Sequence, residues 1–573
     1  MAAASDDNAP KLSKWQLAII LGTPVVIGAA YWYYRTRNPK KTDNSCEDIY
    51  ENSDDTSIKS LGLANKKKSS KNETSITKET PLTKAKAFKD QGNKLFKEGK
   101  FDKAIELYTS AIEICPKERA EDLATFYQNR AAAYDNLKNY EAVIADASKA
   151  LEYNKSYVKA LHRRAKAYEE TGQLQNCLED ITAVCMFDGF RTESYLQMTD
   201  KVMKQLSKLE AKETFKKREP RLPSKHFVRH YFISFSEDPI MKSVETYKNQ
   251  AIERNTAELS GFRLVIHHLA EENFDEVIPS CNFEIDRSGP DMAEAYLVRG
   301  TFKLLQGQIN DSLVDLTKLL SLESVDVKVK VNCLIKVGTL KVQLEKMEEA
   351  LEDFSKAIEL DLNNADIYLH RGQVYLLLER IDDCLKDMEK SCSLNPNFPS
   401  ARAQKCYIQY RCGVMFNDEN QKSSALKGFE DIEKNFPKCS ESFFLYAQML
   451  TELGEFEKAE SYFKKAGDLD PKDPNVYVHR GILALQWKED VATALEHLNK
   501  AIEMDEKCQF GYETLGSIEI QRGRLSRGLE LFQKAIDAAH TETELAHLYS
   551  LLLAAKAQSK AAEIFGFESG LMT

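Results

Sequence analysis

Small and aromatic residues recur along this chain with a period near 34 residues, in a pattern that predicts paired helices. Aromatic residues of the first helix are expected to pack into the next helix, and Gly92 and Ala104 let the two helices approach closely. Pro116 ends the unit where no helical N–H is needed. The first copy of the pattern reads Phe88-x3-Gly92-x2-Leu95 and then Ala104-x3-Tyr108-x2-Ala111-x4-Pro116.

The same positions keep this spacing in the C-terminal half of the chain. Gly338 to Gly372 is 34 residues, and Gly481 to Gly516 is 35. The pattern resembles the tetratricopeptide repeat (TPR), whose helix pairs stack into a right-handed superhelix with a concave inner face. We predict an all-α TPR superhelix of about eleven repeats, three N-terminal and eight C-terminal. The predicted starting points are near Ala85, Leu123, Val158, Glu258, Ala293, Val331, Ala365, Pro399, Ser440, Pro474 and Gln509.

Two departures from the repeat pattern stand out. The repeat near Pro399 has an insertion around Gly413 to Gln421. Between the two groups of repeats the register is lost, and Pro220 and Pro223 predict a helix break there. This connector is expected to be a hinge or a cap, and the sequence leaves both open.

An uncharged apolar stretch precedes the repeats. Residues 15–34 read WQLAIILGTPVVIGAAYWYY, close to the ~20 residues that cross a bilayer, with aromatic residues at both ends. We predict a single-pass transmembrane anchor; a cleaved signal peptide is the alternative, although Arg35-Thr36-Arg37 offers no small-residue cleavage site. The heavier basic flank follows the span and predicts a cytosolic C-terminal region. The span does not exclude the endoplasmic reticulum.

Composition narrows the possible partners and chemistry. The net charge of -10 and the lack of a basic face predict protein partners and no nucleic acid. The twelve cysteines are spread singly, as expected of reduced core thiols, and no metal or other cofactor is predicted. His370 and His479 share one repeat position and are interpreted as scaffold or groove lining in preference to metal ligands. No catalytic motif appears and repeats fill the chain, so we predict a protein that is not an enzyme.

Five polar residues on first helices of the N-terminal repeats form a candidate site. Lys89 and Asn93 are one helical turn apart, as are Lys159 and Arg163, and Asn129 lies in the repeat between them. Lys and Arg supply charge-assisted donors, while Asn supplies an amide without charge. Such a set can surround a carboxylate. A solvated basic face is the alternative, although Asn is unfavourable in a helix interior.

This set resembles the two-carboxylate clamp of TPR co-chaperones. The resemblance implies that Lys89, Asn93, Asn129, Lys159 and Arg163 grip the C-terminal Asp of a Glu-Glu-Val-Asp tail. Such tails belong to cytosolic heat-shock chaperones of the 70 and 90 kDa classes. The neighbouring Arg164 is expected to be a structural residue or a surface donor.

The order of anchor, tether, three clamp repeats, connector and further repeats resembles the larger TPR import receptor of the mitochondrial outer-membrane translocase. Local signatures are Val158-Lys159-Ala160-Leu161-His162-Arg163-Arg164 and Ala295-Tyr296-Leu297-Val298-Arg299-Gly300. The resemblance implies a receptor that takes hydrophobic precursors, such as metabolite carriers, from chaperones and contacts other translocase subunits. An apolar precursor groove is predicted, with core packing as the alternative, at Leu297, Val298, Ile335, Leu369, Phe444, Leu445, Val478 and Ile482.

The predicted organisation has six parts: a tail (1–14), an anchor (15–34), a disordered tether (35–83), a clamp domain (84–200), an irregular helical connector (201–257) and a precursor-binding array (258–573). The expected location is the mitochondrial outer membrane, with the bulk of the chain in the cytosol. A membrane-anchored TPR co-chaperone of the endoplasmic reticulum is the alternative function.

Overall fold

The computed structural model describes residues 80–249 and 259–566, and within those ranges the regular secondary structure is helical, with no β-strand. This confirms the predicted all-α fold. The described residues fall into two compact units, one ending at Met198 and the other beginning at Thr199. The predicted anchor at 15–34 and most of the predicted tether lie outside the described residues.

The first unit contains three helix pairs. The first helix begins at Pro81, so residues 81–83 of the predicted tether are helical. The Thr80 side chain accepts a hydrogen bond from the Thr83 amide and caps this helix, while proline is favourable at the first helical position. The six helices are α1 Pro81–Lys97, α2 Phe101–Ile114, α3 Ala120–Asn136, α4 Tyr140–Tyr153, α5 Val158–Glu170 and α6 Leu174–Asp188.

The second unit contains the connector and eight further helix pairs. Helix α7, Glu193–Lys217, runs across the boundary between the units and is followed by α8, Lys225–Ile233, and α9, Pro239–Asn249. The helix break predicted at Pro220 and Pro223 is confirmed, because residues 218–224 are not helical.

The eight pairs of the second unit confirm the predicted number of C-terminal repeats. The insertion near Gly413 lengthens both helices of its pair to 17 residues and leaves Val414, Met415 and Phe416 exposed at the turn. The helices are α10 Phe262–Ala270, α11 Val277–Asp286, α12 Met292–Leu305, α13 Ile309–Leu320, α14 Val327–Gln343, α15 Met347–Leu360, α16 Ala365–Leu377, α17 Ile381–Leu394, α18 Pro399–Met415, α19 Glu419–Asn435, α20 Ser440–Glu452, α21 Phe456–Leu469, α22 Pro474–Lys488, α23 Val491–Met504, α24 Gln509–Gln521 and α25 Leu525–Ala538, with α26 Glu542–Phe565 after the last pair.

Glycine on the first helix of a pair permits an aromatic ring of the second helix to lie against the backbone. At Gly92 a Cβ atom would lie 2.7 Å from Cε1 of Tyr108. At Gly338 it would lie 2.8 Å from Cε2 of Phe354. Both rings are almost fully buried, so the small residue of the repeat pattern is required by close helix packing.

A bidentate arginine–aspartate pair, 16 residues apart in sequence, joins the two helices of several repeats. The N–H···O distances lie between 2.6 and 2.9 Å, and the aspartates are buried. Removing one partner of such a pair costs about 3–5 kcal/mol, because the other charge is left buried. The pairs are Arg130–Asp146, Arg164–Asp180, Arg299–Asp315 and Arg371–Asp387.

Candidate peptide-binding sites

Two of the five predicted clamp residues contact each other directly. The Asn129 side-chain amide donates to Oδ1 of Asn93 at 3.2 Å, and the Tyr108 hydroxyl donates to the same oxygen at 2.8 Å. The Asn93 oxygen is therefore occupied, and its amide group is the part that a ligand would meet. Tyr108 was not predicted as a site residue, although its fixed place in the repeat pattern is a usable signal.

The two predicted lysines are accessible to a ligand. Lys89 is partly exposed, and its Nζ lies 2.5 Å from Oδ1 of the adjacent Asp90. Lys159 is exposed, and it has no ion pair within the described part of the chain. An exposed ammonium can turn toward an incoming carboxylate at a small cost, because surface ion pairs contribute about 0–1 kcal/mol.

Arg163 differs from the lysines because most of its guanidinium is buried. Its Nε lies 3.5 Å from Oδ2 of Asp135, which is beyond a good hydrogen bond. Neither Nε nor Nη1 has a hydrogen-bond partner among residues 80–249 and 259–566. Burial lowers the pKa of Arg163, and the charge of Asp135 offsets this only in part. The sequence offers no signal for Asp135, because it lies six residues beyond Asn129 in the same helix.

The neighbouring Arg164 has a structural role, which was one of its two predicted roles. Its guanidinium makes two hydrogen bonds to the buried Asp180 and a third to the Ser148 hydroxyl at 3.0 Å. The two adjacent arginines therefore differ in their hydrogen bonding. The fold provides acceptors for the Arg164 guanidinium, whereas Nε and Nη1 of Arg163 have none among the described residues.

The predicted precursor groove is wrong for six of its eight residues. Their side chains are at most 1% exposed, because they pack between helices in the core. Phe444 and Ile482 are partly exposed, and the Phe444 ring lies 5.0 Å from that of His479. Apolar periodicity correctly placed all eight on first helices but did not separate core from surface. The six buried residues are Leu297, Val298, Ile335, Leu369, Leu445 and Val478.

The connector lies against first helices of the C-terminal array. The ring of Phe232 lies 6.2 Å from Phe302, and that of Phe235 stacks 4.4 Å from His370. Connector residues share one hydrophobic core cluster with the repeats. The predicted roles of the connector were a hinge or a cap; the structure shows it packed against first helices, which line the concave surface in repeat arrays.

A buried ion pair fixes the connector to this face. Asp238 Oδ2 lies 3.2 Å from Nζ of Lys336 and accepts from the Asn332 amide at 3.3 Å. Both charged side chains are 1% exposed. The Lys336 ammonium also lies 4.9 Å from the centre of the Phe235 ring, within the range of a cation–π contact.

A second polar contact lies one repeat further along. Asp366, 2% exposed, accepts from the Ser236 amide at 2.9 Å, the Ser236 hydroxyl at 2.7 Å and the Glu237 amide at 3.0 Å. Three donors from the connector therefore converge on one carboxylate. Burial raises the pKa of Asp366, and these hydrogen bonds act in the opposite direction.

Two further predictions concern the cysteines and the membrane-spanning segment. Eleven cysteines are free thiols, and ten of them are buried, as predicted for reduced core residues. Over residues 80–249 and 259–566, no helix combines the length and apolar character needed to cross a membrane.

The helix pairs, their period and their packing define a TPR protein. The tetratricopeptide repeat family matches residues 85–118, 124–157, 365–398 and 440–473, and a further TPR repeat match covers 338–379.

Comparison over the full length defines the family within this class. The mitochondrial import receptor subunit TOM70 of Rattus norvegicus is 41% identical, over 99% of this chain and 95% of its own length. The subunit of that name from Homo sapiens is 41% identical, over 97% and 94%. The chain belongs to the TOM70 family of mitochondrial import receptor subunits. Among solved structures, the crystal structure of yeast Tom70 aligns over 83% of this chain and 96% of its own, with 24% identity and a TM-score of 0.47.

Proposed function

We propose that this protein is an import receptor of the mitochondrial outer membrane that docks cytosolic heat-shock chaperones and accepts hydrophobic precursor proteins for transfer to the translocase. The observation that carries the proposal is the buried Arg163 guanidinium, whose Nε and Nη1 lack hydrogen-bond partners in the described residues. A guanidinium with two buried, unpaired N–H groups is stabilised when an anion accepts hydrogen bonds from them. Membership of a family of mitochondrial import receptor subunits supports the same function.

The proposed clamp divides the binding of a C-terminal carboxylate between fixed and adaptable groups. Asn93 accepts hydrogen bonds from Asn129 and from Tyr108, so both asparagines are held in place and bind without large loss of side-chain freedom. Arg163 supplies donors that the fold leaves unpaired, and Lys89 and Lys159 add charge at the more accessible positions. Residues 84–200 form the clamp domain of this proposal. The receptor acts by binding, without catalysis.

Precursor acceptance is assigned to the array at residues 258–573. Phe444 and Ile482 keep part of their surface exposed and remain candidate contacts. A precursor segment that reaches the first helices between Phe302 and His370 has to displace the connector, because the connector covers them. Chaperone docking and precursor binding therefore use different repeats.

A membrane-anchored co-chaperone of the endoplasmic reticulum is the second candidate. Both functions use the same clamp, so only the location separates them. Similarity over nearly the full length to subunits named for mitochondrial import favours the mitochondrial receptor.

We predict that Arg163→Ala weakens binding of a peptide ending in Glu-Glu-Val-Asp by about 2–5 kcal/mol, because a buried charge-assisted contact is lost. Isothermal titration calorimetry measures the change. The matched control is Lys166→Ala, which removes one positive charge from an exposed position on the same helix and should leave binding unchanged. An affinity of Arg163→Ala within threefold of wild type would mean that the clamp is assigned to the wrong residues.

We predict that residues 1–41 suffice to place a fluorescent reporter on the mitochondrial outer membrane, facing the cytosol. The apolar stretch at 15–34 is long enough to anchor, and Arg35, Arg37, Lys40 and Lys41 follow it. Imaging and protease accessibility on intact mitochondria test both parts. A reporter in the endoplasmic reticulum, or one protected from protease, contradicts the assignment.

A further inference from the structure

Two histidines of the connector and one aspartate of the array form a cluster that the clamp and the connector contacts described above do not use. His226 and His230 lie one turn apart on helix α8, and their ring centres are 4.0 Å apart. Asp470 follows α21, in the short turn before α22. One ligand atom from each of the three side chains lies within 4.8 Å of the other two.

The Nε2 atom of His226 is buried and unsatisfied. Its side chain is 9% exposed, and no atom of the described residues lies within hydrogen-bonding geometry of Nε2. The nearest acidic oxygens are Oδ2 of Asp470 at 3.6 Å and Oδ1 of Asp473 at 3.5 Å. A buried ring nitrogen normally has a hydrogen-bond partner. Because Nε2 of His226 has none among the described residues and faces two carboxylate oxygens at 3.5 and 3.6 Å, a cation can bind between them.

Hydrogen bonds at the other ligands leave metal-binding atoms free. Nδ1 of His230 lies 3.2 Å from the His226 carbonyl oxygen, so the Nδ1–H tautomer donates there and presents Nε2. Oδ1 of Asp470 accepts from the Lys472 amide at 3.2 Å, which leaves Oδ2 available. Metal-binding histidines characteristically donate their second ring N–H to a carbonyl or carboxylate in this way.

We propose that His226, His230 and Asp470 bind a divalent transition-metal ion, with Zn²⁺ as the best fit. Two imidazoles and one carboxylate form a ligand set that Zn²⁺ favours, whereas Ca²⁺ and Mg²⁺ prefer oxygen ligands. Bond lengths of about 2.0–2.2 Å require the ligand atoms to approach more closely than 4.8 Å when the ion binds. Water or Asp473 completes the tetrahedron; Asp473 Oδ1 already accepts from the Asn475 amide at 2.9 Å.

Such a site would join two distant parts of the chain. Asp470 lies 240 residues after His230 in sequence, and the bound ion would tie helix α8 to the turn between α21 and α22. The connector would then be held on the array by metal coordination in addition to its apolar and ionic contacts. This inference is independent of the proposed chaperone clamp.

The test uses the full-length chain in detergent, without a histidine tag, after removal of metal with a chelator. Zn²⁺ is titrated by calorimetry, and Co²⁺ absorption reports tetrahedral coordination. We expect about one equivalent of Zn²⁺ to bind, and His230→Asn and Asp470→Asn each to weaken binding more than about tenfold, since even groups outside the coordination sphere contribute 10–100-fold. The control His497→Asn changes a histidine on helix α23 and should bind like wild type.

Two results overturn the site. Binding that is equally tight in wild type, His230→Asn and Asp470→Asn places the metal elsewhere, and weak binding in all of them leaves only the direct contacts of His226 with Asp470 and Asp473. Thermal unfolding in chelator establishes that each variant is folded. Amide hydrogen exchange then supplies a second readout: Zn²⁺ should slow exchange in residues 225–233 of wild type at least twofold and leave Asp470→Asn unchanged.

Discussion

At the residue scale, Gly92 is a small residue of the repeat pattern that also affects the proposed clamp, because it lies against Tyr108, which hydrogen-bonds Asn93. We predict that Gly92→Ala destabilises the first unit by about 1–3 kcal/mol, because the new Cβ overpacks against the Tyr108 ring. The displaced Tyr108 hydroxyl would also release Asn93, so affinity for a Glu-Glu-Val-Asp peptide should fall as well. Urea unfolding and peptide calorimetry measure the two effects.

Tyr108→Phe separates the loss of stability from the loss of peptide affinity. It keeps the ring but removes the hydroxyl, so it should cost only about 1 kcal/mol of stability. Its peptide affinity should still fall, because Asn93 loses the hydrogen bond that orients it. Unchanged affinity in both variants would show that Asn93 does not need Tyr108 to bind the peptide.

The sequence predicted which residue types stand at the clamp positions but not their state of pairing. Spacing placed Asn93 and Asn129 on neighbouring first helices, and they are in contact. Spacing does not reveal that Arg163 is buried beside Asp135, because that depends on how α3 and α5 pack. Burial also explains why most of the predicted groove residues are core residues. The sequence could not separate the two, because a core position and a groove position share the same helical period.

At the scale of elements, the connector is the part that sequence predicted least well. The two prolines correctly predicted a break before α8, because proline constrains the backbone locally. The contacts of Asp238 with Lys336 and of Ser236 with Asp366 join residues 98 and 130 positions apart. Contacts of this kind leave no periodic signal, so the sequence offered only a hinge or a cap.

We predict that Asp238→Asn destabilises the second unit by about 3–5 kcal/mol, because it leaves the Lys336 ammonium buried without a counter-charge. Asp238 also caps helix α9, because it accepts hydrogen bonds from the Ile240 and Met241 amides. Asn caps helices equally well, so Asp238→Asn removes the charge and keeps the cap. Urea unfolding gives the difference.

The control and the rescue use neighbouring charges. Glu237→Gln removes an acidic charge next to Asp238 at a partly exposed position and should change stability by no more than about 0.5 kcal/mol. Adding Lys336→Met to Asp238→Asn removes the unpaired ammonium and should recover part of the loss. If the double variant is as unstable as the sum of the single changes, the pair is not what holds the connector.

At the scale of the whole molecule, a repeat protein gains stability mainly from contacts between neighbouring repeats. The second unit departs from this, because the connector adds contacts that reach several repeats at once. The Leu222 carbonyl accepts from Lys507, Phe235 stacks on His370, and the Tyr247 hydroxyl lies 3.1 Å from Nδ1 of His267. These contacts are expected to make the array unfold more cooperatively than repeats stacked alone.

Histidines shielded from water make the stability of the second unit depend on pH; His370 is buried, and His479 and His540 are half-buried. Burial lowers the pKa of His370 to about 3, of His479 to about 4 and of His540 to about 3. A histidine whose folded-state pKa lies below its unfolded value near 6.5 contributes stability that is complete above pH 6.5 and is lost as the pH falls toward the folded value. Asp366 and Glu544 act in the opposite sense, because burial raises their pKa.

We therefore predict that His370 alone accounts for about 1 kcal/mol of the stability lost between pH 7.5 and pH 5.5, one pH unit below the unfolded pKa. His370 is 2% exposed and stacks on Phe235, so His370→Phe removes the titrating group while keeping an aromatic ring in the core. Urea unfolding at both pH values gives the free energies of unfolding for wild type and variant. The difference between the two pH values should be smaller in His370→Phe by about that amount, whatever the variant does to stability at pH 7.5. An identical pH dependence would show that His370 takes up its proton to the same extent in the folded and unfolded states, so that burial does not lower its pKa.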